Sequence, residues 1–357
     1  MSWNNHNKPK QPSIAGSIAK DVELPADNCD TIQSMRWSPV SDHLAAASWD
    51  GKTRIYEVAK DGSGQGVAVL AAEGPVFSCD WSKDGTLVAA AGADKKIHIL
   101  QAASGETLSF AAHDAPIHDV RFLNAPDAPS PIIASGSWDK TVRYWDIRNT
   151  SAPVASLPCG ERVYAMDTVG QTLVIATAAM KVLLVDLAKP TVIHREEQSS
   201  LRHQLRSISL SPNGKFWASG SIEGRASVNA VDQKQAKAMN FTWKCHRDAT
   251  ANNKVTKVYA VNAVACHTTM EDRVVTCGSD GIYNFWDIKA KQRLKNFPSV
   301  GGAITSCAFD RTGSWFAYAV GYDWAKGYTG NKPDYPTKLV LHPVGEEMDV
   351  VKDGMRR

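Results

Sequence analysis

The sequence of 357 residues predicts an all-β chain, a seven-bladed β-propeller in which an N-terminal strand closes the last blade. Three observations carry that expectation. One pattern recurs along the chain: a small-residue step, an acidic turn, then a strand of alternating polarity. Its copies are ASWDGKTRIYEV (47–58), AGADKKIHIL (91–100), SGSWDKTVRYWDI (135–147), SGSIEGRASVNAV (219–231) and CGSDGIYNFWDI (277–288). A degenerate copy, TAAMKVLLVDL, spans 177–187, and a weaker seventh is YAVGYDWAKGY (318–328) followed by TKLVLHPV (337–344). Second, the acidic positions Asp50, Asp94, Asp139, Glu223, Asp280 and Asp323 stand 44, 45, 84, 57 and 43 residues apart, and 84 is two steps of 42 across the degenerate copy. Third, the segments before these turns alternate at period two and break at x-Gly turns, which is hairpin patterning.

A period of ~40–45 residues with four strands per unit is the signature of a WD-repeat propeller. Trp145-Asp146 and Trp286-Asp287 supply the defining dipeptide. Taken in order, residues 1–17 are expected to form a disordered polar arm. Residues 18–345 form the propeller and 346–357 a solvated tail. The last unit has only three convincing strands (303–309, 314–320 and 337–344), so residues ~18–25 are expected to donate the fourth and remove an exposed edge. The hairpins 75–92, 207–221 and 304–320 show the strand–turn–strand pattern most clearly. The third blade is nearest to consensus. His113, Ser135, Asp139 and Trp145 have the spacing of a buried hydrogen-bond network, a structural role rather than a catalytic His–Asp pair. The long step after Glu223 predicts an insertion, placed in the polar loop 248–257.

Charge narrows the function. Lys+Arg 40 against Asp+Glu 37 gives +3, which excludes a polybasic nucleic-acid binder although local patches remain open. No apolar run reaches the ~18 residues of a membrane span, and the first 20 residues lack the apolar stretch of a secretion signal. Seven scattered cysteines without a C-x-x-C pair suit a reducing, intracellular setting. Cys245-His246, Cys266-His267 and Cys277 match no zinc spacing, so no metal is expected. No phosphate loop, nucleophile elbow or dinucleotide fingerprint is present. The expectation is a non-enzymatic protein with no cofactor and no small-molecule substrate.

A propeller without catalytic residues acts through its surfaces. The acidic turns and the loops entering each blade share one face, the top. There Trp49 and Trp138 precede Asp50 and Asp139; either they anchor a partner or they pack against a neighbouring blade. Arg225, after Glu223-Gly224, is placed to capture a partner carboxylate or to pair within its own blade. Lys289, Lys291, Arg293 and Lys295 alternate along a strand and its preceding loop, so they are expected to share one face. Lys244, His246 and Arg247 follow Phe241 and Trp243, an aromatic-basic mixture suited to single-stranded RNA, or simply a solvated edge.

HDAPI (113–117), GSWDKT (136–141), GSIEGR (220–225), FTWKCHR (241–247), YAVNAVACH (259–267), GSDG (278–281) and YDWAKG (322–327) together resemble the nuclear-pore-associated WD-repeat mRNA export factor family over residues 20–345. GSIEGR, KCHR and Y-A-V-N are shared with a sister family, the mitotic checkpoint WD-repeat protein that carries checkpoint kinases. HDAPI and YDWAKG favour the export factor. The resemblance implies docking of a short hairpin motif, GLEBS, across the top face. Its paired glutamates would meet Arg225, with Lys291 and Arg293 near the groove. It implies an FG-repeat nucleoporin as the bearer of that motif, contact with messenger ribonucleoprotein or RNA, and a nuclear, pore-associated location with shuttling to the cytoplasm. A role in mitotic spindle assembly is also implied. The alternative is a checkpoint scaffold holding GLEBS-like motifs of kinases through the same face.

Overall fold

In the computed structural model, which describes residues 14–26, 29–124, 130–249 and 255–349, seven antiparallel sheets surround a central channel. Each inner strand touches the inner strand of the next blade, and the ring closes where Ile304–Phe309 meets Ile32–Trp37. Short helical turns at Gln233–Gln235, Ala236–Met239 and Tyr328–Gly330 are the only helical segments among the described residues. Seven apolar clusters fill the seven gaps between neighbouring blades. This follows from period-two patterning in a sheet covered on both faces: alternate residues feed the cluster on one side and their neighbours the cluster on the other.

The clasp forms as the sequence predicts. Val22–Leu24 pairs antiparallel with Lys338–Pro343 and completes the seventh blade. The arm, however, is not free as far as residue 17. Ile14–Ala15 adds in parallel to Gln292–Asn296 as a fifth strand of the sixth blade. Gly16 continues this pairing by donating to the Asn296 carbonyl (2.9 Å), and its backbone lies so close to the Phe297 ring that any Cβ would clash. The tail is not wholly solvated either, because Met348 is fully buried and Arg273 Nε donates to its carbonyl (2.7 Å). Residues 1–13 and 350–357 lie outside the described residues. The insertion placed at 248–257 is a hairpin rather than a plain loop: Arg247–Ala249 pairs with Thr256–Val258, and its tip falls outside the described residues.

Polar groups of the inner strands stitch each blade to the next. The Phe122 N–H donates to Asp80 (2.8 Å), the Met166 N–H to Asp119 (2.7 Å) and the Leu210 N–H to Asp167 (2.8 Å). Ser207 and Ser209 accept from Val264 and Cys266 (both 3.1 Å). Asn262 Nδ2 donates to the Ile304 carbonyl and Thr305 Oγ1 to that of Ile32 (3.0 and 2.6 Å).

The predicted network of the third blade is assembled. His113 bridges Asp139 and Ser135 through its two ring nitrogens, each at 2.7 Å, and Trp145 Nε1 donates to Ser135 Oγ (2.9 Å). The sixth blade builds the same chain with threonine in place of serine. His246 links Asp280 (2.9 Å) to Thr276 (3.0 Å), which accepts from Trp286 Nε1 (2.9 Å). The histidine of the Cys245-His246 pair is therefore engaged in the blade. Ser135→Ala leaves both the His113 ring nitrogen and the Trp145 N–H without a protein partner, so it is expected to lower stability by about 2–3 kcal/mol, read by urea unfolding.

Candidate functional site at the mouth of the channel

At the second residue of every inner strand, pairing with the next strand slips. The shifts fall between Ile32/Ser34, Val76/Ser78, Ile117/Asp119, Val163/Ala165, Leu205/Ser207, Val261/Ala263 and Ile304/Ser306. A bulge re-aims its extra residue. The seven residues so displaced are Gln33, Phe77, His118, Tyr164, Arg206, Asn262 and Thr305, and all seven line the channel. They form a ring at its top end, because the inner strands begin there.

The turns between the second and third strands of the blades add a second tier of rings. Trp324 stacks on Trp49 (5.2 Å between centroids, 20° between planes), Trp49 meets Phe77 (5.5 Å) and Phe77 stacks on Trp138 (6.0 Å, 29°). His118 contacts Trp138 (6.2 Å) and Tyr164 (6.1 Å), over which the Arg162 guanidinium sits at 5.7 Å. An aromatic arc thus runs from the seventh blade through the first, second and third to the fourth. Trp49 and Trp138 each pack against Phe77 of the neighbouring second blade, as one of the two readings expects, and each remains half-exposed at the mouth. Trp49 Nε1 donates to Gln33 Oε1 (3.2 Å). The Trp138 indole N–H and His118 Nδ1 are buried without a hydrogen-bond partner among the described residues.

Beyond Tyr164 the ring turns cationic. Arg206 makes no hydrogen bond or ion pair with the described residues; burial pulls its guanidinium below the usual arginine range, and Asp323 is the opposing charge it feels. Asp323 is itself taken up by Ser279 and Asn262. It does not hold the acidic turn position expected of it. Gly321 donates to the Ala303 carbonyl as Trp49 does to that of Thr31, so Tyr322 takes the place of Asp50 and Asp323 falls one residue late.

Arg225 lies at the upper end of the fifth blade, half-buried, with Nε 3.7 Å from Glu223 Oε2. Glu223 also accepts from the Arg202 N–H (3.0 Å), and Arg225 pairs across the sheet with exposed Lys244. Arg247 is committed to the turn itself, donating to the Glu223 and Gly224 carbonyls (2.7 and 3.3 Å).

The remaining basic residues differ from expectation. Lys289 and Lys291 lie in the turn after Tyr283–Asp287, which carries the chain away from the Asp280 turn. They sit at the end of the sixth blade opposite the Arg225 face. A register shift between Phe285 and Trp286 sets Arg293 opposite Trp286 and Lys295 opposite Phe285, so these two project from opposite faces of the sheet. Lys291 Nζ lies 5.0 Å from the Phe241 ring centroid and the Arg293 guanidinium 5.8 Å from that of Trp286. Phe241, Trp243 and Trp286 are buried in the core, which removes Phe241 and Trp243 as stacking platforms for bases.

Residues 22–57, 64–100 and 105–146 match the model of the WD domain, G-beta repeat. The "mRNA export factor GLE2" of Chaetomium thermophilum is 46% identical over 340 residues, covering 94% of both chains. The chain belongs to the WD-repeat mRNA export factor family. Other members similar to it are the "Poly(A)+ RNA export protein" of Schizosaccharomyces pombe, 44% identical over 94% of both chains, and "Protein Rae1" of Drosophila melanogaster, 34% identical over 92% of this chain and 95% of the relative. Among solved structures, the RRP9 WD40 repeats superpose with a TM-score of 0.76 at 18% identity, covering 92% of this chain and 99% of theirs, which shows the shared propeller fold. Arg206, missed in the sequence, lines the same channel mouth on the fifth blade. Its signal was available: it follows the first apolar residue of an inner strand, as Phe77, His118 and Tyr164 do.

Proposed function

We propose that this chain is a non-enzymatic adaptor in mRNA export, which docks on the GLEBS hairpin of an FG-repeat nucleoporin through the top face of the propeller. The observation that supports it best is the aromatic arc that ends at the Arg206 guanidinium, which has no hydrogen bond or ion pair among the described residues. Such a surface offers rings for apolar side chains and a partly desolvated cation for a glutamate. Arg225 and Lys244 extend the positive potential outward, with Glu223 fixing the Arg225 turn. The location that follows is nuclear and pore-associated, with shuttling to the cytoplasm. Affinity purification of the tagged protein from growing cells tests the reading. An FG-repeat nucleoporin as the dominant partner supports it, and checkpoint kinases in its place support the checkpoint scaffold instead.

Two variants refine the docking surface. Trp138→Ala is expected to weaken a synthetic GLEBS hairpin by about 2 kcal/mol in calorimetry, as loss of an interface aromatic does. Arg225→Glu also weakens it, through like-charge repulsion; unchanged affinity would remove Arg225 from the site. Contact with messenger ribonucleoprotein is assigned to a different surface, the cations Lys289, Lys291 and Arg293 at the opposite end of the sixth blade. Two of them are held over aromatic rings, which fixes their positions. RNA crosslinking that is lost in Lys291→Glu/Arg293→Glu but kept in Trp138→Ala is the expected pattern.

A further inference from the structure

We propose that His342 is a pH-sensitive latch that ties both terminal segments of the chain to the seventh blade and releases them when it loses its proton. His342 lies in Lys338–Pro343, the strand that receives the N-terminal clasp. Its Nδ1 is 2.6 Å from Asp21 Oδ1, in the segment just before Val22–Leu24, and its Nε2 is 2.7 Å from Glu347 Oε2, in the C-terminal segment. The ring is 2% exposed and Asp21 8%, so the bond to Asp21 is shielded from water, whereas the Glu347 side chain is 26% exposed.

Proton counting gives the device. Carboxylates only accept, so an imidazole bonded to two of them must donate from both nitrogens and carry a positive charge. A neutral imidazole has one N–H, and its lone pair would then face the other carboxylate. Every group packed on the ring favours the charged form or is uncharged. Tyr318 donates its hydroxyl to Asp21 Oδ2 (2.7 Å). Tyr283 and Phe297 contact the imidazole edge-on, at 5.5 and 4.9 Å between centroids, and Phe285 lies at 6.2 Å. Burial pushes the Tyr283 and Tyr318 hydroxyls well above their usual range, so neither contributes charge near neutrality. Lys338 is paired with Glu23 (2.9 Å), and Arg273 is turned to Met348 and Asp287.

Although burial alone would lower the His342 pKa, the two carboxylates raise it above the ordinary value. The latch is therefore fully formed below the unfolded histidine value of ~6.5 and is lost as pH rises through the raised one. Its release frees two sheet edges together, since the segment that holds Asp21 also carries Ile14–Ala15 on the sixth blade and Val22–Leu24 on the seventh. Exposed edges of this kind accept strands from other chains.

The test uses the full chain. Nitrogen-15 signals of the His342 ring at pH 6–7 are expected to show both nitrogens protonated. Hydrogen exchange at residues 22–24 and 338–343, corrected for intrinsic base catalysis, is expected to rise with pH above ~6.5, by up to tenfold per pH unit until the folded-state ring has lost its proton, and to level off beyond that point. Residues 132–137 of the third blade stay flat. In Glu347→Gln the amide N–H donates to an unprotonated Nε2, so a neutral ring keeps both partners and the pH dependence over this interval disappears. A neutral His342 ring at pH 6, exchange that is flat with pH in the wild-type chain, or a Glu347→Gln slope equal to wild type would each overturn the latch. If Glu347→Gln does not fold, the ring signals and wild-type exchange decide alone.

Discussion

If the proposed docking holds, Arg206→Glu is expected to lower the affinity of the propeller for a synthetic GLEBS hairpin by at least about a hundredfold. The wild-type guanidinium stands at the channel mouth without a hydrogen bond or ion pair among the described residues, and burial already lowers its pKa. A cation so placed is expensive to keep unless a partner supplies the opposite charge. Reversing it sets a carboxylate against the glutamates of the hairpin in a partly desolvated site, where like charges cost several kcal/mol. The free protein is expected to lose less than it would at a paired cation, because Arg206 makes no hydrogen bond or ion pair with the described residues, although the new carboxylate faces Asp323. Calorimetry of peptide binding together with urea unfolding checks both halves. Full affinity in the variant would move the docking site off the channel mouth. Loss of affinity with a large loss of stability would make Arg206 a structural residue.

Asp119→Ala has the opposite profile and is expected to destabilise the chain by about 3–5 kcal/mol. Asp119 accepts from Ser78 Oγ (2.6 Å) and the Met166 N–H (2.7 Å) and pairs with Arg121 (2.5 Å), so a single carboxylate holds the second, third and fourth blades together. Removing it strands the Arg121 guanidinium, only 7% exposed, with Asp167 at 3.6 Å as its remaining acidic neighbour. It also leaves the Met166 N–H unpaired. Urea or thermal unfolding gives the number. A loss below 1 kcal/mol would mean that water in the channel replaces the carboxylate.

The blades were legible because their information is local. Asp50-Gly51 and Gly224 supply turn chemistry within a few residues, and Gly51 and Gly224 both take the positive φ such turns require (81° and 60°). His113, Ser135, Asp139 and Trp145 lie within 33 positions, and their shared spacing encodes a network that a single sheet completes. The basic stripe of the sixth blade was misread for an equally physical reason. Period-two alternation places Arg293 and Lys295 together only in a regular strand, and the register shift opposite Phe285 and Trp286 separates them. Phe241 and Trp243 resembled a stacking platform because composition alone does not distinguish a buried aromatic from an exposed one.

The sequence by itself determined the repeat, the number of blades, the clasp at Val22–Leu24 and the membership of a family whose motifs it carries. Those depend on patterns short enough, or repeated often enough, to survive without coordinates. Only the tertiary structure decided which side chains meet at the channel mouth. Trp324 reaches Trp49 across the closing seam, and Arg206 stands at the channel mouth with no hydrogen bond or ion pair among the described residues; away from the mouth, Asp21 reaches His342 from the other end of the chain. Closure of the ring brings together positions that sequence spacing cannot relate, because each blade contributes one residue to the rim and the distance between them is set by the circumference rather than by the chain.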